Sequence, residues 1–207
     1  MEQGIPRPIE VRDHSNFTIA QALLAGALGA PYIPTRSLLG SDIPRANGTF
    51  VAATSPFDGS AVLLIPAITP DVTAIAVQRA DADGNAQLLG PWGVSQEAAL
   101  AAKSVIVLAE EVVGRDVIGA DPNRTIVPAL KVVAVVEEPG ACHPSPLQGR
   151  YGRDHEFFHD YHRATRTIEG FDAWIGEWVT GVRDRREYLK KLGPRWQALR
   201  ITAGGGE

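Results

Sequence analysis

The chain has 207 residues, 44% hydrophobic and 21% charged, with a formal charge of -4 and one cysteine. That balance describes a globular domain long enough to bury a core. It excludes a nucleic-acid footprint, because no basic cluster occurs in the first two thirds, and it excludes a membrane span, because no apolar run approaches ~20 residues.

The lone cysteine rules out an intrachain disulfide framework, and Met1-Glu2-Gln3-Gly4 does not open a basic-then-apolar leader. The cytoplasm is the expected compartment.

The first organised stretch is EVRDHSNFTIAQALLAGALGAPYIPTRSLLGSD, from Glu10 to Asp42. It predicts a short strand, a polar turn at His14-Ser15-Asn16, a helix, and a loop punctuated by Pro31, Pro34, Gly40 and Ser41. Ser15 and Asn16 are natural N-caps. Ile19, Leu23, Leu24, Ala27 and Leu28 recur at helical spacing and predict one buried face. Gly26 and Gly29 lower helix propensity and permit another backbone to come close. A polar turn feeding a helix N-terminus presents amide N–H groups that suit a carboxylate or thioester oxygen. The same residues equally describe an ordinary capped helix.

Residues 48–60 read as a polar connection at the surface, around a pocket. Ala61 to Ile65 is a short strand, and Val72 to Val77 reads as a continuous apolar strand buried on both faces. Asp83-Gly84-Asn85 is a tight turn in which Gly84 takes positive φ, with Asp and Asn side chains closing it onto the backbone. Gln78 leaves the C-terminal end of the preceding strand, where open α/β sheets place ligands. An amide that ties down a loop is an equal reading of Gln78.

Residues 96–103 predict a helix and 104–109 a buried strand that ends before Glu110-Glu111. After the break at Asp121-Pro122-Asn123, residues 125–126 and 131–136 give two more strand-like pieces. The alternation predicts an α/β fold, a largely parallel open sheet flanked by helices, spanning residues 1–150. Residues 151–207 form a helical extension on the same domain.

Cys142 and His143 are adjacent, so they do not point at each other as a nucleophile and its base would. A structural or incidental cysteine is expected. His155-Glu156-Phe157-Phe158-His159 fits H-E-x-x-H on a helix, with His162 beyond it, but the usual apolar framing is missing and a charged, aromatic helix face is preferred. Phe157, Phe158, Tyr161, Phe171, Trp174, Trp178 and Tyr188 supply a tail that wraps the body or a partner. Arg183 to Arg186, broken by Asp184, reads as a solvated helix face. Residues 195–207, ending in Gly204-Gly205-Gly206, read as a frayed terminus.

Several of these runs occur together in one family. The order SNF, AGALG-P and PTRS-LGSD, then a buried strand with a D-x-x-GN turn in which Gln78, Asp81 and Asn85 match, then Tyr151-Gly152-Arg153-Asp154, resembles the alpha subunits of family I CoA-transferases, most closely the glutaconate CoA-transferase-like branch. The resemblance runs from Ile9 to Leu192. Relatives acting on 3-oxoacids have Pro-Gln-Gly-Thr where this chain has Ser15-Asn16-Phe17-Thr18, and related ring-opening hydrolases carry an acidic residue at the place of Asn16. Family alpha subunits begin with a further strand-and-helix segment holding a glycine-rich loop, and this chain is expected to start after it.

The resemblance implies a hetero-oligomer with a beta-type subunit. It implies an acyl-CoA and a free carboxylic acid as substrates, coenzyme A thioester as substrate rather than a permanently bound cofactor, and no metal. The nucleophilic glutamate belongs to the beta-type partner, so no catalytic residue is expected here, and Glu110 and Glu111 are read as solvated or paired. Substrate-binding residues would be Ser15, Asn16, Arg36, Ser37, Gly40, Ser41 and Gln78, with Asn16 donating to the acyl oxygen and Arg36 pairing with a carboxylate. An ordinary salt bridge is the even alternative for Arg36. Three other functions stay open: a CoA-dependent ring-opening hydrolase subunit, a non-catalytic partner-binding subunit, and a zinc hydrolase built on the HEFFH run.

Overall fold

The computed structural model describes residues 10–201. These fall into two compact units, one running up to residue 73 with Gly93–Ser104, the other Ala74–Trp92 with residues from 105 onward.

In the first unit, helix α1 (Asn16–Ala27) begins where the sequence placed it. The Ser15 hydroxyl accepts from the Thr18 N–H at 3.1 Å, and the Thr18 hydroxyl accepts from the Ser15 N–H at 2.9 Å. This reciprocal cap satisfies two donors that a helix start otherwise leaves open, worth about 1 kcal/mol. The expected strand ahead of it is absent: residues 10–15 carry no regular structure, and no other strand pairs with them among the described residues.

The buried face of α1 also differs from the apolar periodicity. Thr18, Ala22, Leu23 and Ala25 are buried, whereas Leu24 is exposed and Leu28 is 69% exposed. Small residues win that face because another backbone lies against it: the Ile68 N–H donates to the Ala22 carbonyl at 2.9 Å. At Gly26 a Cβ would stand 2.2 Å from the Ile68 carbonyl oxygen. Close approach therefore requires glycine there.

Strands β1 (Tyr32–Thr35), β2 (Val51–Thr54) and β3 (Ala61–Pro66) make an antiparallel sheet with β3 central, and helix α2 (Ile43–Asn47) lies between β1 and β2 in sequence. Ala22, Leu63 and Ile65 form its buried cluster, flanked by Ile33, Leu38, Phe50 and Ile68. Helix α3 (Ser95–Ala101) completes the unit.

The second unit holds the parallel pairing. Strands β4 (Val72–Val77), β7 (Ser104–Ala109) and β9 (Val132–Glu137) form one sheet with β7 central, and β7 runs parallel to β9. Strands β5 (Arg79–Ala80), β6 (Ala86–Gln87) and β8 (Thr125–Val127) form a small antiparallel sheet. The mixed α/β architecture is thus as expected, with antiparallel sheets beside the parallel one.

Burial on β4 differs from the expectation of two covered faces. Only Ile75 and Val77 are buried, in alternation, the pattern of a strand with one covered face, and β4 stands at the edge of its sheet. The turn after it is as predicted. Gly84 has φ +106°, and a Cβ there would stand 2.6 Å from Val132 Cβ. The buried Asp81 carboxylate accepts from the N–H groups of Gly84 and Asn85, each at 2.9 Å, and from the Asn85 amide at 2.8 Å.

Helix α4 (Arg115–Gly119) precedes four C-terminal helices, α5 (His155–Ala164), α6 (Ile168–Trp178), α7 (Arg185–Leu192) and α8 (Pro194–Leu199). Asp154, Thr167 and Asp184 cap the first three of these four. Phe157 is the centre of the aromatic packing, edge-on to Trp174 at 5.2 Å and to Trp178 at 5.0 Å.

Two sequence expectations fail here. Arg185 is not part of a solvated face: its guanidinium donates to the Gly140 and His143 carbonyls and lies 4.2 Å from the Tyr188 ring centre. Nor is the chain frayed from residue 195. Trp196 is buried 4.9 Å from Tyr151, the Gly152 N–H bonds the Leu199 carbonyl at 2.8 Å, and the Ile201 N–H bonds the Arg150 carbonyl at 3.0 Å. The rest of that expectation, residues 202–207, lies outside the described residues.

Candidate functional site

In the first unit the α1 N-terminus presents two kinds of group. The Ser15 hydroxyl is spent on its own cap. Asn16 is exposed, and its side-chain amide makes no hydrogen bond among the described residues. By helix geometry the N–H groups of Asn16 and Phe17 have no intrahelical acceptor. His14 packs edge-on to Phe50 at 5.1 Å, and burial pushes its imidazole pKa down, which keeps it neutral.

The loop after β1 is a tight, self-bonded turn. The Ser37 N–H donates to the Thr35 hydroxyl at 3.1 Å, and Ser41 donates to the Leu38 carbonyl from both its N–H and its hydroxyl. Leu38 and Gly40 both sit at positive φ. Arg36 is exposed and donates through Nη2 to Asp58 at 2.8 Å and to the Ser60 hydroxyl at 2.9 Å. Hydrogen bonds from Ser55 and Ser60, with Arg36 adding its charge, hold the Asp58 carboxyl down at about 2. Arg36 therefore faces a firmly ionised partner through one nitrogen, with Nε and Nη1 uncommitted.

Gln78, in the second unit, is 2% exposed and fully engaged. Its amide donates to the carbonyls of Leu89 at 3.1 Å and Gln148 at 2.9 Å, and accepts from the Leu89 N–H at 2.9 Å. Both donors are consumed in tying two loops together. Those loops border a cleft of about 590 Å³, lined also by Arg79, Glu110, Arg150, Tyr151, Trp196 and Arg200.

Glu110 and Glu111 differ in role. Glu111 is exposed and pairs with Arg150 at 3.0 Å and, at 3.9 Å, with Arg79. Glu110 is half-buried, and its Oε1 accepts from the Gly140 N–H at 2.7 Å and the Tyr151 hydroxyl at 3.1 Å. The Tyr151 oxygen in turn accepts from the Cys142 N–H at 3.0 Å. Burial raises the Tyr151 and Cys142 pKa values, so neither is a ready nucleophile.

One polar constellation escaped the sequence reading. His143, with its ring fully buried, places Nε2 3.1 Å from Asp154 and Nδ1 2.7 Å from the Tyr188 hydroxyl. A carboxylate only accepts, so Nε2 carries the proton and Nδ1 accepts from Tyr188. Burial pushes the His143 pKa down and that of Tyr188 up to about 12. The three residues lie on a Pro-rich loop, a helix cap and a distant helix, so no linear spacing announces them.

The HEFFH run lies on α5 with Phe157 buried, while His155, Glu156, His159 and His162 are exposed. Among the described residues no group of three His, Cys, Asp or Glu side chains is arranged to hold a metal ion. No described helix is long and apolar enough to cross a membrane.

Known proteins share both the sequence and the fold. Residues 3–138 match the family model described as Coenzyme A transferase. The chain is 39% identical over 192 residues to a 3-oxoadipate CoA-transferase subunit of Pseudomonas knackmussii, covering 93% of this chain and 67% of that protein. It superposes on the crystal structure of glutaconate coenzyme A-transferase from Acidaminococcus fermentans with a TM-score of 0.87 and 32% identity, over 95% of this chain and 68% of that one. It is 28% identical to the cholesterol ring-cleaving hydrolase IpdA subunit of Mycobacterium tuberculosis, covering 84% of this chain and 63% of that protein. The chain thus spans about two thirds of the length of these relatives.

Proposed function

Because this chain belongs to the coenzyme A transferase family, we propose that it is the alpha-type subunit of a CoA-transferase that moves CoA from an acyl-CoA to a carboxylic acid. The observation that carries the reading is the superposition of 95% of the chain on a glutaconate coenzyme A-transferase, at 32% identity. A beta-type partner supplies the glutamate. Its carboxylate attacks the thioester carbonyl and expels CoA thiolate, which then attacks the glutamyl carbonyl of the mixed anhydride and releases the first acid. The acceptor acid reverses both steps. Splitting the exchange in this way replaces one difficult transfer by two easier ones.

The proposed substrate-facing groups in the first unit are Ser15, Asn16, Arg36, Ser37, Gly40 and Ser41. Asn16 is the donor to the acyl oxygen, since its amide is exposed and unbonded. Arg36 meets a carboxylate through the nitrogens that Asp58 leaves free. Ser15 sets the helix start, and the 36–41 turn presents the arginine. In the second unit Gln78 acts as a wall, holding two loops. The acyl-CoA is the substrate, and no permanent cofactor enters the scheme.

A hydrolase subunit is the second reading, favoured by the identity to the ring-cleaving hydrolase subunit. The amide at Asn16 argues for transfer, because it cannot activate water as a carboxylate would. The test is co-expression with a beta-type subunit, then incubation with acyl-CoA and borohydride and mass analysis of both chains. Reduction at a partner glutamate, with none on this chain, supports the transferase. A soluble complex that releases free CoA and acid with no trapped glutamate supports the hydrolase.

A further inference from the structure

The cleft of the second unit has a charge arrangement that the transferase scheme leaves unused. Arg79 and Arg150 share one carboxylate, Glu111, at 3.9 and 3.0 Å. Arg200 also lines the cleft, and its guanidinium has no acidic partner among the described residues. Guanidinium donors therefore exceed what Glu111 can satisfy. At Glu110 the balance is opposite. Its Oε1 is filled by Gly140 and Tyr151, while Oε2 carries no hydrogen bond among the described residues. Leu89, Pro139 and Ile201 supply apolar wall.

We propose that this cleft binds a small carboxylic acid that also carries a hydroxyl or ammonium donor. The acid group is met by the arginines, Glu110 Oε2 accepts from the donor, and the methylene body lies along the apolar wall. A volume of about 590 Å³ suits a ligand of a few carbons with some water retained. Inorganic phosphate fits poorly, because a dianion would share the cleft with two carboxylates while leaving the apolar wall and Glu110 Oε2 unanswered. The Gln78 ties fix the cleft's two loops, so the groups are positioned before any ligand arrives. The lining residues all belong to the second unit of this chain, and the site stands or falls apart from the transferase reading.

Calorimetric titration of the full chain with ω-hydroxyhexanoate and ω-aminohexanoate tests it, against hexanoate, hexanediol and inorganic phosphate. At least one of the two bifunctional acids is expected to bind saturably at millimolar concentration or below, with hexanoate about tenfold weaker and the diol and phosphate weaker still. Arg200→Gln should weaken the bifunctional acid about tenfold. Glu110→Gln, whose amide oxygen still accepts from Gly140 and Tyr151, should abolish the preference over hexanoate. Unfolding midpoints of both variants serve as the folding control. Absence of saturable binding, equal affinity for hexanoate and both bifunctional acids, phosphate binding as tightly, or an Arg200→Gln variant that folds and binds like the parent would each overturn the proposal.

Discussion

Gly26→Ala tests the close packing of α1 because helix propensity and local geometry predict opposite signs. In an open helix interior the change gains about 1 kcal/mol. At Gly26 the new methyl would stand 2.2 Å from the Ile68 carbonyl oxygen and 3.2 Å from Ala101 Cβ. The obstacle is backbone on one side, so the 68 segment must retreat by about an ångström to reach ordinary contact, a strain of ~1–3 kcal/mol. That retreat also lengthens the bond from the Ile68 N–H to the Ala22 carbonyl, worth ~1 kcal/mol. The net expectation is a loss of about 2 kcal/mol, which with a urea m-value of ~2 kcal/mol/M lowers the midpoint by ~1 M. Gly176→Ala on α6 is the matched control: its Cβ would enter open space, so stability should rise by up to ~1 kcal/mol. A Gly26→Ala chain as stable as the parent, with unchanged m, would refute the close-approach account.

Three further outcomes are expected. Asp81→Asn should cost ~2–3 kcal/mol, since the carboxylate accepts three hydrogen bonds around the turn. Burial alone would raise the Asp81 pKa, but the bonds from Asn85 and Gly84 outweigh it and hold it below 3.8. Its contribution is thus present above that pH and lost as pH falls through the folded pKa, and an acid titration of unfolding free energy should show a shallower acid limb in the variant. His143 has its pKa depressed below 6.5 by burial, so below pH 6.5 the unfolded chain binds a proton that the folded chain does not. Stability should therefore fall as pH drops through 6.5 towards the depressed folded pKa, and His143→Gln should remove that component; equal slopes in parent and variant would sink the assignment. Asn16→Ala, assayed with its partner, should lower kcat by ~10²-fold with the unfolding midpoint unchanged; a change confined to KM would instead assign Asn16 to uniform binding.

Sequence reading succeeded where one local rule decided the outcome. Ser15 beside a helix run defines a cap, and Asp81 to Asn85 contains the donors, acceptor and glycine of its own turn. It failed where the deciding neighbour lay far along the chain. The apolar period of α1 pointed at Leu24 and Leu28, but the face that packs is chosen by how near the Ile68 backbone can come, and that favours Ala22, Ala25 and Gly26. Arg185 sat in a run of alternating charge and read as solvated. Its partners are the carbonyls of Gly140 and His143, which no charge pattern records. The supposed frayed end likewise contains Trp196, whose burial depends on Tyr151.

The same distinction separates the site residues, because a side chain can serve a ligand only with donors the fold has not already used. Sequence names the amide or hydroxyl but not its commitments. Gln78 and Ser15 look as suitable as Asn16 on paper, yet both Gln78 donors hold loop carbonyls and the Ser15 hydroxyl closes a helix. Arg36 is intermediate, with Nη2 engaged by Asp58 and Ser60. Substituting Asn16 or Arg36 should change turnover far more than stability, whereas substituting Gln78 should change both. The burial and hydrogen bonding of Gln78 thus have a kinetic consequence: Gln78→Ala leaves the carbonyls of Leu89 and Gln148 and the Leu89 N–H without partners, at ~1–3 kcal/mol for each group left buried, and any loss of activity should track its lowered unfolding midpoint.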